Sequence, residues 1–155
     1  FGTVEIRVCD AQVELWQTLA ILSLAVALVA TLAAQYDEGR LLPVLETRYV
    51  EENLWRAIRY GMSGRLVDFR HAREVPASEA VRELLEFTAY QAERLGLRPF
   101  IANVERLLRE GNGAQRQLAA YHGGTPIRKV YADSLRRLHD EVRVPLRRCV
   151  MQGGQ

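Results

Sequence analysis

The 155 residues are 48% hydrophobic, enough for one ordinary core. With 21 Lys+Arg against 19 Asp+Glu, the charges nearly cancel, which excludes a dedicated nucleic-acid surface with its basic excess. Two cysteines, Cys9 and Cys149, fit neither a disulfide framework nor a zinc motif and suit a reducing cytoplasm. Lys129 is the one lysine, so the cations are almost wholly arginine, the side chain suited to carboxylates and phosphates. An arginine-rich genome produces the same bias.

The chain opens on a strand pattern. Val4, Ile6 and Val8 alternate with Glu5, Arg7 and Cys9, which predicts a strand over residues 2–10 with Glu5 and Arg7 on one face. Successive same-face residues lie roughly 6–7 Å apart, close enough to share a metal and a phosphate. A half-exposed strand with an ordinary ion pair shows the same alternation. The opening strand is no signal-peptide n-region, and Phe1 reads as an internal position of a longer polypeptide.

Leu15 to Tyr36 carries no charge and is long enough to span a membrane. Gln17, Thr18, Ser23, Thr31 and Gln35 interrupt it, and no basic cluster flanks it. A buried helix over 12–36, packed on a sheet, is the expectation, with no membrane. Helical elaboration follows over 44–149. One helix runs from Glu46 to Tyr60 and ends at Gly61 and Gly64. Arg65–Arg70 forms a short strand or extended loop, closing at Pro76. Ser78 caps the next helix, with Glu79 placed for its dipole, and an apolar stripe from Val81 to Leu95 carries it to Gly96. Pro99 opens another helix, bearing Ile101, Val104, Leu107 and Leu108 and stopped at Gly111-Asn-Gly113. A short helix reaches His122 before Gly123-Gly124. The last carries Ile127, Val130, Leu135, Leu138 and Val142, then bends or ends near Pro145.

Three segments resemble one family. Gly2-Thr-Val-Glu-Ile-Arg-Val-Cys-Asp10, followed by the apolar helix, is similar to a segment of the carboxylate–amine ligases, or glutamate–cysteine ligase type 2, in the glutamine-synthetase superfamily. Glu52-Asn-Leu-Trp-Arg-Ala-Ile-Arg-Tyr-Gly61 is similar to that family's Glu-Asn-x-Trp-Arg-Ala-x-Arg-x-Gly segment. Glu110-Gly-Asn-Gly-Ala-Gln-Arg-Gln117 resembles a late inter-helix turn of the same family. The resemblance covers most of the chain and implies an α+β fold. Residues 1–155 would then be the C-terminal portion of a single catalytic domain with a glutamine-synthetase-like antiparallel sheet, contributing one strand followed mostly by α-helices.

The implied activity is ATP-dependent ligation of a carboxylate to an amine through an acyl phosphate, with Mg2+, joining L-glutamate to L-cysteine or another small amine. A carboxylate oxygen leaves poorly until it is activated, and the charge that builds on the moving phosphoryl group needs cations. Carried over by position, Glu5 would be a magnesium ligand. Arg7 would contact the transferred phosphoryl group. Asp10 completes the pattern and, pointing by alternation with the aliphatic side, reads as structural, a cap for the following helix.

In the second segment, Asn53, Arg56 and Tyr60 share one helix face, while Trp55 and Arg59 share another where guanidinium can stack on indole. Arg59, then Arg56 and Asn53, are candidates for a substrate or nucleotide pocket. A salt-bridged surface helix with a packed tryptophan accounts for them equally. His71, His122 and His139 have no metal-ligand spacing, and no Walker A, GxGxxG or GxSxG motif occurs. The expected partners are the rest of the parent polypeptide and a second copy through the apolar helix. The alternative function is a non-catalytic module that docks a partner chain through helix 15–36.

Overall fold

A computed structural model describes residues 3–40 and 44–152, and side chains as far as residue 140. Gly2, where the expected strand begins, and the side chains of Val142 and Cys149 lie outside the described residues. Regular structure comprises helices α1 (Leu15–Asp37), α2 (Thr47–Tyr60), α3 (Ala77–Arg94), α4 (Arg98–Glu110), α5 (Gly113–His122) and α6 (Ile127–Gln152), with strands β1 (Arg65–Asp68) and β2 (Arg73–Pro76). Two units form. One joins the residues up to Leu19 with those from Asn112 on, and the other is continuous over Ala20–Gly111.

The expected strand over 2–10 does not form: residues 3–12 carry no regular secondary structure. A strand needs a neighbour to take its N–H and C=O groups, and none of the described residues supplies one. The sheet is instead a two-stranded antiparallel hairpin, with Leu66 opposite Val75 and Asp68 opposite Arg73. This extends the reading of 65–70 by a second strand that ends at Pro76.

Helix α1 is long and apolar enough to cross a membrane by length and composition. Against the expected helix buried on a sheet, the described residues bury one stripe of it. The buried stripe is Gln17, Ala20, Ser23, Ala27 and Thr31, small or polar residues at helical spacing. Leu22, Val26 and Tyr36 are 56%, 43% and 70% exposed. Small side chains let helices approach closely, and Thr31 stays satisfied by donating from Oγ1 to the Ala27 carbonyl at 2.7 Å. In the continuous unit, Ala27 packs with Ala92 of α3 and Ile101 of α4, and Leu85 and Leu97 fill in around them.

Helix ends follow local chemistry. Gly61, with φ of +54°, terminates α2 in a conformation that disfavours a side chain. A Cβ on Gly64 would fall 2.8 Å from Tyr60 Cβ, so the chain turns there at the closest approach a glycine permits. α3 begins at Ala77 after Pro76, so Ser78 lies inside its first turn and does not cap it. α5 has a full capping box between Asn112 and Gln115. α6 runs past Pro145, where a bend or end was expected.

Candidate functional site

Glu5 and Arg7 form an ion pair, Arg7 Nη2 donating to Glu5 Oε2 at 2.7 Å. Both side chains are largely in water, Arg7 81% and Glu5 67% exposed, so the pair is intact but unenclosed. Cys9 is exposed and free. At Asp10 the described contact is its carbonyl, which accepts from Gln12 Nε2 at 2.8 Å. The Glu14 carbonyl, not Asp10, receives the first α1 amides, from Gln17 at 3.1 Å and Thr18 at 3.4 Å.

The candidates on α2 occupy the continuous unit. Asn53 Nδ2 donates to the Val67 carbonyl at 2.9 Å and its Oδ1 accepts from the Val67 amide at 2.8 Å. Both ends of its amide thus serve β1. Arg56 donates to Glu52 and to Glu74 of β2, each at 2.7 Å, and ties helix to hairpin. Donating to Glu52 and then to Glu74 raises the Arg56 pKa, and accepting from Arg56 lowers that of Glu74. Arg59 is exposed and lies over the Tyr60 ring, 5.6 Å from its centroid, rather than on Trp55. Trp55 meets Tyr60 edge-on at 5.7 Å. Of the three, Arg59 keeps a guanidinium turned to solvent.

Two polar clusters were not foreseen from the sequence. At the hairpin tip, His71 Nδ1 lies 2.7 Å from Asp68 Oδ2, Arg73 Nε donates to the same oxygen at 3.0 Å, and the Arg70 amide donates to Oδ1 at 3.2 Å. The His71 bond, followed by that of Arg73, holds the Asp68 carboxyl down to about 2. Arg73 continues to Glu83 of α3 at 2.8 Å. The Asp-x-x-His spacing was the available signal, an Asx-type turn rather than a metal pattern.

The second cluster is in the unit built from both chain ends. Glu14 receives Gln17 Nε2 at 2.9 Å, Arg137 of α6 at 3.1 Å and Arg116 of α5 at 3.4 Å. Beside it, Arg116, Arg137, Gln117 and Ser134 line a cleft of about 100 Å³. No periodicity links residues so far apart.

Among the described residues no three His, Cys, Asp or Glu side chains gather to hold a metal ion. Glu5 could contribute one oxygen ligand to a site completed by other residues.

The family model for glutamate-cysteine ligase family 2 matches residues 1–141, and the chain belongs to that family. It is 38% identical over 130 residues to a protein of Solibacter usitatus named "Putative glutamate–cysteine ligase 2", covering 84% of this chain and 34% of the relative. A protein of the same name from Sorangium cellulosum is 40% identical over 121 residues, 78% of this chain and 32% of its own length. One from Herpetosiphon aurantiacus is 31% identical over 142 residues, 92% and 37% of the two chains. The chain thus spans about a third of the length of these curated relatives. No solved structure matches.

Proposed function

We propose that this chain is part of an ATP-dependent carboxylate–amine ligase that joins L-glutamate, through its γ-carboxylate, to L-cysteine or another small amine. The observation that carries the reading is the Glu5–Arg7 ion pair, two residues apart and open to solvent, in a chain of this family. A carboxylate and a guanidinium so placed offer an oxygen ligand and a bidentate anion-binding group side by side. Arg7 would meet the phosphoryl group passing from ATP to the glutamate carboxylate, where negative charge gathers, and stabilise the acyl phosphate before the amine attacks. Magnesium, when bound, would neutralise phosphate charge, with Glu5 as one of its ligands.

The remaining parts follow from the same reading. In a glutamine-synthetase-like sheet, residues 2–10 would find strand neighbours that the described residues do not supply, and the apolar face of α1 would be covered by that sheet or by a second copy. Arg59, exposed at the end of α2, is the candidate for substrate or nucleotide contact. The compartment would be the cytoplasm. The chain alone would be inactive, because one segment cannot orient two substrates and ATP.

A second reading, a docking module without catalysis, is favoured by the uncovered Leu22, Val26 and Tyr36. Phosphate release from Mg-ATP with glutamate and cysteine, measured on the longer polypeptide, separates the two. The ligase reading expects Glu5→Gln to cut turnover by about 100-fold or more. Amino-acid-independent or absent turnover in the native protein would favour the docking module. Turnover indifferent to Glu5 would sink the site assignment.

A further inference from the structure

Glu14 lies at the junction between the segment bearing Glu5 and Arg7 and the first turn of α1. Its carbonyl starts the helix, and its carboxylate is 15% exposed. Nearby Gln17 and two guanidiniums converge on that carboxylate: Arg137 on Oε1, and Arg116 with Gln17 on Oε2. The arginines come from positions 102 and 123 residues away. All three donors are side chains, so the carboxylate ties α1 to residues distant in sequence while the backbone carbonyl starts the helix.

The arginines are themselves well seated. Arg116 lies one turn into α5, whose start is locked by the Asn112–Gln115 capping box. Arg137 projects from α6, joined to α5 by Gln117 Nε2 donating to Ser134 Oγ at 3.3 Å. Gln17 Oε1 is buried with no hydrogen-bond partner among the described residues, so Gln17 keeps its N–H on Glu14 while its own acceptor goes unmet.

We propose that Glu14, clasped by Arg116 and Arg137, is a positioning residue that aims the Glu5–Arg7 pair at the reacting phosphate, an inference that rests on the ligase reading. Glu14 lies nine positions after Glu5. A free tether of that length wanders about 15–18 Å. Anchoring one end in two packed helices confines the start of the segment, and strand pairing can then align the rest. Misplacement on the order of 1 Å is enough to cost a large part of a phosphoryl-transfer rate. Glu14 touches no reacting atom in this scheme and acts only through Glu5 and Arg7.

The test is a kinetic cycle on the longer polypeptide: native protein, Glu14→Gln, Glu5→Gln and the double variant. Glu14→Gln keeps the size of the side chain and removes its charge. It should lower kcat about tenfold while KM for ATP stays within about twofold, and in the Glu5→Gln background it should cost less than about twofold more. Additive losses, or an unchanged kcat, would overturn the proposal, because a merely structural clasp acts independently of Glu5. If Glu14→Gln does not fold, Arg137→Gln removes only the more exposed donor and takes its place in the cycle. Absence of turnover in the native protein would defeat the ligase reading on its own. The clasp is then decided by trypsin cleavage after Arg7, with cleavage after Arg70 in the other unit as reference. Faster cutting after Arg7 in Glu14→Gln supports the anchor, and equal rates overturn it.

Discussion

The side-chain amide of Asn53 holds the backbone of Val67 as a neighbouring strand would, accepting from its N–H at 2.8 Å and donating to its C=O at 2.9 Å. The hairpin has only two strands, and on β1 Asn53 supplies one step of a third. Asn53→Ala would leave both Val67 groups partly buried and unpaired, a loss of roughly 1–3 kcal/mol. Denaturant titration should show the midpoint falling with its slope unchanged.

Acid should weaken the hairpin through Asp68. Its folded-state carboxyl is held to about 2, below the ordinary 3.8, chiefly by the His71 hydrogen bond. A depressed carboxyl stabilises the folded state fully above the unfolded value, and that contribution disappears as pH falls from about 3.8 toward 2. Melting temperature measured across this window should fall more steeply for the native protein than for Asp68→Asn. Equal slopes would mean that Asp68 is not a linked group.

The helices were legible because their apolar residues recur every three or four positions and glycine or proline marks their ends. Gly61, Gly111 and Gly123 all stand where helices stop. The strand over 2–10 shows the opposite case. Alternation of Val4, Ile6 and Val8 with charged residues says which face each side chain would take, but a strand exists only if other backbone groups pair with it. The surroundings of α1 are hard to read for a related reason: an uncharged helix announces that it is to be enclosed, not by what. Asn53 and Arg56 were visible as a motif, while their attachment to Val67 and Glu74 depends on a hairpin only half apparent in the sequence. Glu14 was missed altogether, since an ion cluster spanning more than a hundred residues leaves no periodic trace.

Gly64 is a steric requirement. Its added Cβ would meet Tyr60 Cβ at 2.8 Å, and a Cβ attached to the helix backbone cannot swing away. Gly64→Ala should cost about 1–3 kcal/mol by forcing the α2–β1 turn apart. Ala72 is the reverse case: at φ of +50° it holds a left-handed conformation with a side chain. Ala72→Gly should leave stability equal or higher by up to about 1 kcal/mol. Thermal unfolding of the two variants, run together, tests both signs.

The outer face of α1 makes a prediction that depends on context. Val26→Glu in the 155-residue chain puts a charge on a residue 43% exposed and should change stability within about 0.5 kcal/mol. If that face is covered in the longer polypeptide, the same substitution there buries an unpaired carboxylate and should lower soluble yield and melting temperature markedly. Identical behaviour in both settings would mean the face stays bare.

The unit containing Glu14 is assembled from the two extremities of the chain, with an uninterrupted unit inserted between them. During synthesis, residues 20–111 have their partners to hand as soon as they emerge, whereas Glu14 waits until Arg116 and Arg137 have been made. A premature stop between α4 and α5 would thus spare the inserted unit and leave the segment before α1 without its anchor. The same division makes a nick in the middle of the chain and a nick near its end unequal injuries: the second reaches back to residue 14.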